Sequence, residues 1–203
     1  MIDAVVFDLG NVLVRWDPYR PFDGRLPAAE VEAFFSDVDF MAFNHQQDAG
    51  RSWADARAAL AATDPAHLPA LDLYVEHFAD TLVGPVPGSE ELVRDLRARG
   101  VRLLGLTNWS AETFHLAEPA APAIGLLEDV LVSGEVGLAK PDPGVFALLT
   151  RRFGLVPERT VFADDSATNV AAAARAGFDA LLFTSADALR VDLAARGLVL
   201  GRT

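Results

Sequence analysis

The sequence predicts an α/β protein: a doubly wound parallel sheet with an all-helical insertion near its start. Two observations carry this. Beyond residue 88, short apolar runs alternate with amphipathic segments across short links, the pattern of strand–helix units in a parallel sheet. Between Pro18 and Pro87 that alternation stops and only helical periodicity remains.

The elements follow in order. Ala4–Phe7, AVVF, is an apolar run of strand length that ends at Asp8. Gly10-Asn11 marks a turn, with Gly10 the residue expected to take left-handed backbone. Val12 to Trp16 stays apolar and predicts a strand pairing back as a hairpin. Ala28–Phe35, Arg51–Ala62 and Leu68–Leu82 read as amphipathic helices; Gly50 or Ser52 starts the second and Asp64-Pro65 stops it. No strand pattern lies between Pro18 and Val86. Ser89 predicts an N-cap, with Glu90 and Glu91 in the first turn of a helix that reaches Arg99 and stops at Gly100. Val101–Leu106 is a strand ending at Thr107-Asn108, and a helix is expected from Ser110. Val130–Ser133 is a strand and Pro143–Phe153 a helix. Thr160–Ala163 is a strand ending at Asp164-Asp165, followed by a helix over Ala167–Ala176 closed by Gly177. Ala180–Phe183 and Ala186–Arg196 are the last strand and helix.

Composition narrows the function classes. With 203 residues, one α/β core plus an insertion fits, and a 51% hydrophobic share is ample for a packed interior. There is no cysteine, which excludes disulfides, thiolate zinc sites and cysteine nucleophiles. A net charge of −12 argues against a nucleic-acid partner, which requires a basic face. No apolar stretch reaches the length of a membrane span, and the N-terminus lacks a basic segment followed by a cleavable apolar run. A cytoplasmic protein without a membrane partner is expected, as monomer or homodimer.

Ligands of open α/β sheets bind at the carboxyl ends of strands. Asp8, Thr107-Asn108 and Asp164-Asp165 each stand at such an end. Each has an ordinary explanation as turn or helix-start chemistry. Each also has a chemical one. A carboxylate such as Asp8 attacks phosphorus to form an aspartyl-phosphate. Thr107 and Asn108 precede a helix start suited to phosphate. Adjacent carboxylates at a buried strand end, with no His or Cys nearby, suit magnesium. Of the 17 basic residues, Lys140 is the sole lysine; it precedes Pro141 and so is extended. A site that keeps lysine in an arginine-rich chain needs a compact ammonium rather than a planar fork.

Four strings, taken together, resemble the motifs of the haloacid dehalogenase-like superfamily: VVFDLGNVL, LLGLTNWS, LAKPDPGVF and VFADDSATN, in the family's order and each at the expected element. The resemblance implies a Rossmann-like core, residues 1–17 and 88–203, with a helical cap, residues 18–87. It implies that Asp8 is the nucleophile and that Thr107, Asn108 and Lys140 bind the transferring phosphoryl group. It implies magnesium held by Asp8, the Gly10 carbonyl and Asp165, with Asp164 and Asn169 supporting the metal site. Asn44, His45, Asp48 and Arg51 fall in a turn that resembles the cap's substrate-facing loop; a polar interhelical loop reads equally well.

One position departs from the family's phosphatase pattern. A second aspartate normally stands two residues after the nucleophile, where it protonates the leaving group and then activates water. Here that residue is Gly10, followed by Asn11. The D-x-G-N-V form is similar to a branch that includes sugar-phosphate phosphatases, an α-glucose-1-phosphate phosphatase among them. The resemblance therefore implies magnesium-dependent hydrolysis of a small phosphate monoester such as a sugar phosphate. Gly10 keeps two alternatives open: a 2-haloacid dehalogenase, which uses the same nucleophile without metal, and a degenerate, non-catalytic binding protein. The paired acids Asp164-Asp165 favour phosphate chemistry.

Overall fold

In this computed structural model the described residues are 2–198. The first half of the chain contains β1 (Ala4–Phe7), β2 (Val14–Trp16), α1 (Ala28–Asp37), α2 (Phe40–Asp48), α3 (Trp53–Thr63), α4 (Leu68–Glu76), β3 (Leu82–Pro85) and α5 (Ser89–Ala98). The second half contains β4 (Arg102–Thr107), α6 (Ala117–Ala120), β5 (Asp129–Val132), α7 (Ser133–Val136), α8 (Pro143–Phe153), β6 (Thr160–Asp164), α9 (Ala167–Arg175), β7 (Asp179–Leu182) and α10 (Ala186–Ala195).

Five strands form one parallel sheet in the order β5–β4–β1–β6–β7. β1, the central strand, is buried on both faces, and so its sequence is an unbroken apolar run rather than an alternating one. Val5 and Phe7 belong to one hydrophobic cluster, which also takes in α5, α10 and the aromatic residues of the helical insertion. Ala4 and Val6 belong to the other, against α8 and α9. This is the doubly wound α/β architecture expected of the sequence.

Four local expectations are corrected. β2 does not return along β1. The carbonyl of Leu9 accepts from the N–H groups of Val12, Leu13 and Val14, closing a tight loop, and β2 pairs antiparallel with β3 instead. β3 lies inside the stretch read as wholly helical; it is only four residues long and half-buried, so it carries no apolar run. The helix expected to reach Leu82 stops at Glu76, and a 3-10 turn over Phe78–Thr81 leads into that strand. Residues 40–48 form a helix rather than a turn. Its apolar face is confined to Phe40 and Phe43, with the buried polar Gln47 in the third position, so its period was concealed.

Three further local assignments shift. Gly88, at φ 77°, caps α5, while Ser89 is buried and its hydroxyl donates to Val86 O at 2.7 Å. After β4 the chain makes a turn and a 3-10 segment over Phe114–Leu116 before the short α6, not a helix from Ser110. Asn11, at φ 56°, takes the left-handed conformation expected of Gly10. Among the described residues no helix is long and apolar enough to cross a membrane.

Two glycines beside the carboxyl ends of the strands have opposite environments. A Cβ on Gly134 would lie 2.5 Å from Ala111 N and 2.6 Å from Trp109 O, backbone atoms that have no freedom to swing aside. A Cβ on Gly10 would meet nothing within 4 Å. Gly134→Ala should therefore cost about 1–3 kcal/mol through overpacking, whereas Gly10→Ala should stay within about 0.5 kcal/mol of wild type. Urea denaturation of the two variants checks the contrast, and equal destabilisation would contradict it.

Candidate active site

The register of the sheet sets the site. Phe7 is level with Gly105 on one side and Ala163 on the other, so Asp8, Leu106 and Asp164 emerge side by side. The Asp8 N–H donates to Ala163 O at 2.8 Å, and Asp8 Oδ1 accepts from the Leu9 N–H at 2.7 Å. Thr107, buried at the end of β4, is the next residue in this row.

Lys140 enters this row from the loop between α7 and α8. Its ammonium is 1% exposed and has three acceptors for its three protons: Leu106 O at 3.0 Å, Asp164 Oδ2 at 2.7 Å and Asp8 Oδ1 at 2.9 Å. Burial alone would lower its pKa, but Asp8 and Asp164 together hold it above the ordinary lysine value. Asn108 fixes the backbone that presents it. Its amide donates to Lys140 O at 2.8 Å and accepts from Lys140 N at 2.8 Å. Both ends of the Asn108 side chain thus hold Lys140, and the residue also borders the cavity described below.

Three carboxylates, Asp8, Asp164 and Asp165, offer oxygens within 4.8 Å of one another. They are not equivalent. Asp164 is fully buried; Oδ2 takes the Lys140 ammonium, and Oδ1 accepts from Ser166 N–H at 2.8 Å and from the Asn169 amide at 3.1 Å. It therefore anchors Lys140, and Asn169 supports it in doing so. Asp165, the next residue, is exposed. Burial pushes the Asp8 carboxyl up to about 6, against the opposing pull of Lys140, and Asp164 and Asp165 add to the rise. Asp165 is also raised, by partial desolvation and by Asp164, while a hydrogen bond from Asn11 opposes the rise. Three acids against one ammonium leave a surplus of negative charge, and every donor is oxygen. That set fits a hard divalent cation such as magnesium.

Above this row lies a cavity of about 250 Å³, bounded by Gly10 and Asn108 below. All three tryptophans of the chain, Trp16, Trp53 and Trp109, line it. One face of α2 lines it too: Met41, Asn44, His45 and Asp48 recur at the i, i+3, i+4, i+7 spacing of a single helical stripe. Three of the four insertion residues singled out in the sequence are thus brought to the site, from a helix rather than a turn. Arg51 is not among the lining residues. Its guanidinium donates to Gln47 Oε1 at 2.6 Å and Phe43 O at 3.2 Å and lies over the Phe43 ring, closing the end of α2.

Among the described residues, Asp48 is the one carboxylate on the cavity wall. Asn44 donates to its Oδ2 at 3.2 Å. Desolvation pushes its carboxyl up to about 7; the charge of Asp8 adds to this and Lys140 opposes it. Tyr74 on α4, raised by its own burial, also feels the Asp48 charge.

A model of the haloacid dehalogenase-like hydrolases matches residues 2–177, most of the chain and all of the residues just described. The chain belongs to this family. Its relatives include the phosphoglycolate phosphatase of Rhodospirillum rubrum, 30% identical over 87% of this chain and 77% of that protein. Protein CbbY of Rhodobacter capsulatus is 25% identical over 91% and 86%. Among solved structures, a HAD-family enzyme of Bacteroides thetaiotaomicron in complex with magnesium and inorganic phosphate superposes with a TM-score of 0.72. It is 21% identical and covers 91% of this chain and 96% of that one. At that identity the superposition speaks for the fold.

Several residues of this hydrolase site escaped sequence reasoning. The indole of Trp16 stands three residues beyond the first motif and that of Trp109 within the second, a proximity that offered a signal. Ser133 offered none: its hydroxyl accepts from Trp109 N–H at 2.9 Å and so shapes the loop after β4 from the end of β5.

Two predictions follow from the electrostatics. Lys140→Met leaves Asp8 and Asp164 buried without a counter-charge and should destabilise the metal-free protein by about 3–5 kcal/mol at neutral pH. Denaturant titration in chelator checks it; a loss below about 1 kcal/mol would mean that the ammonium does not carry this balance. The second concerns Asp48. Its folded pKa is raised, so the native state binds more protons than the unfolded chain between about 4 and 7, and stability falls as pH rises through that window. Asp48→Asn should remove that slope, leaving the chelated variant more stable than wild type at pH 8 by about 1–2 kcal/mol, after discounting for the open cleft. At pH 4 the two should coincide. Melting curves at the two pH values decide it.

Proposed function

We propose that this hydrolase is a magnesium-dependent phosphatase that passes the phosphoryl group of a small phosphate monoester to Asp8 and then to water. The observation that carries the reading is the unequal acidic trio beside one buried ammonium. Asp164 is committed to Lys140, which leaves Asp8 and Asp165 to face a cation. A dehalogenase, which displaces halide with one carboxylate, has no use for the additional acid. A non-catalytic relative has no need to bury a fully partnered lysine against its would-be nucleophile.

In this reading Asp8, the Gly10 carbonyl and Asp165 hold the ion. When bound, magnesium supplies charge neutralisation between the Asp8 carboxylate and the phosphoryl oxygens. Lys140 keeps Asp8 ionised in its buried setting and adds positive charge where equatorial oxygens gather negative charge in the transition state. The Thr107 hydroxyl and the backbone of the loop it opens receive the remaining oxygens. The strand-end position of Asp8 fixes its direction of attack.

The leaving group occupies the indole-lined cavity. A cavity of about 250 Å³ suits a small organic group. Trp53 Nε1, a buried donor on that wall, has no protein acceptor. Aromatic faces that take C–H surfaces, together with a buried N–H, Asn44 and Ser110 that take hydroxyls, suit a sugar phosphate.

Release of inorganic phosphate from a panel of sugar phosphates and from p-nitrophenyl phosphate should require magnesium and cease in chelator. Asp8→Asn should abolish it while the protein remains folded, and acid quenching of wild type should trap the phosphoryl group on Asp8. Undiminished turnover in chelator, capture on another residue, or halide release from 2-chloropropionate without phosphate release would replace this reading.

A further inference from the structure

We infer that Asp48, on the insertion helix α2, protonates the oxygen of the departing group and then takes a proton from the water that hydrolyses the Asp8 acyl phosphate. The inference rests on the phosphatase reading above. An alkoxide is a poor leaving group, so expulsion of a sugar or other alcohol from phosphorus calls for an acid at the departing oxygen. The acids at the strand ends are already engaged: Asp8 as nucleophile, Asp164 in holding Lys140, Asp165 beside Asp8 at the cation. Gly10, two residues after the nucleophile, has no side chain to offer.

Asp48 occupies the side of the cavity that this task requires. It belongs to the stripe Met41, Asn44, His45, Asp48, which faces Gly10 and Asn108 across the space proposed for the leaving group. Asn44 holds Oδ2 at 3.2 Å and so fixes the carboxyl, while Oδ1 is the oxygen that exchanges the proton. The groups that act on it are Asp8 after β1, Lys140 from the loop between α7 and α8, Tyr74 from α4, and Asn44 on its own helix. His45, the other titratable residue on the stripe, is exposed. Desolvation and the Asp8 charge keep much of the Asp48 population protonated near neutral pH, which is the form an acid needs.

The step balances. An Asp8 oxygen bonds to phosphorus as the bond to the departing oxygen breaks. That electron pair takes the Asp48 proton, and a neutral alcohol leaves. Water then attacks phosphorus, gives its proton to the Asp48 carboxylate, and breaks the bond to Asp8. Inorganic phosphate departs with Asp8 ionised and Asp48 protonated again.

The test is the dependence of single-turnover rates on leaving-group pKa, with magnesium present, for wild type and Asp48→Asn. Wild type should give a shallow slope across aryl, sugar and alkyl phosphates. Asp48→Asn should give a steep one: alkyl and sugar phosphates slowed by about 10²-fold or more, with the burst of p-nitrophenolate from p-nitrophenyl phosphate retained because that group leaves without a proton. The retained burst also shows that the variant is folded. Gly10→Asp added to Asp48→Asn should recover part of the loss, since a side chain there has open space. An equal loss on aryl and alkyl substrates, or none on either, would overturn the inference while leaving the phosphatase reading intact. Should Asp48→Asn give no burst, Asp48→Glu decides: a slow rate with a shallow slope supports a proton donor, and a steep slope overturns it. No phosphate release by wild type from any substrate would instead sink the phosphatase reading and this inference with it.

Discussion

The buried ammonium of Lys140 is the constraint around which the site is organised. A lysine taken wholly out of water is tolerated only if each proton finds an acceptor, and the three here come from three adjacent strand ends: Asp8 after β1, Leu106 O in β4, and Asp164 in β6. Such an arrangement need add nothing to net stability, because desolvation offsets much of the attraction. What it does is define a geometry. A different register of any of these strands would leave a charge unpaired in the interior.

The surrounding polar contacts serve the same end. Asn108 grips the Lys140 backbone at both N–H and C=O, Asn169 and Ser166 hold the far side of Asp164, and Ser133 draws in the loop that carries Trp109. Of these residues Asn108 and Asn169 read as site residues in the sequence, and in the structure their amides bond to other protein groups. The groups left to face outward, Asp8 and Asp165, are few, and both are acids. That asymmetry, with inner partners satisfied and outer carboxylates in excess, is what makes the site suited to a cation and an anion together.

The helical insertion contributes in a different way. Its residues reach the site through the periodicity of one helix rather than through strand register, and β2 pairing with β3 brings its two ends together beside the nucleophile loop. Aromatic packing around Tyr74, Phe34 and Phe40 sets the roll of α2, which turns Asp48 toward the cavity. The core thus presents charged groups at a fixed spacing beside the indoles of Trp16 and Trp109, and the insertion adds Trp53 and one carboxylate of raised pKa. The fold thus places the charged groups on the sheet and one wall of the cavity on the helix.

By itself the sequence determined the sheet and the order of its strands along the chain, since buried parallel strands must be short apolar runs and α/β links must punctuate them. It also marked Asp8, Thr107 and Asp164 as strand-end residues and Lys140 as an unusual lysine. The α2 helix was not legible, because its buried face includes a glutamine and its exposed face is the polar stripe that reads as a loop. β3 was too short to show a period, and Arg51 was indistinguishable from its neighbours until its guanidinium was seen folded back on Gln47 and Phe43. Only the tertiary structure decided which asparagine is a clamp and which insertion carboxylate overlooks Asp8. Those choices depend on where side chains point after distant elements pack, and local propensity carries no record of a contact between residues forty or a hundred positions apart.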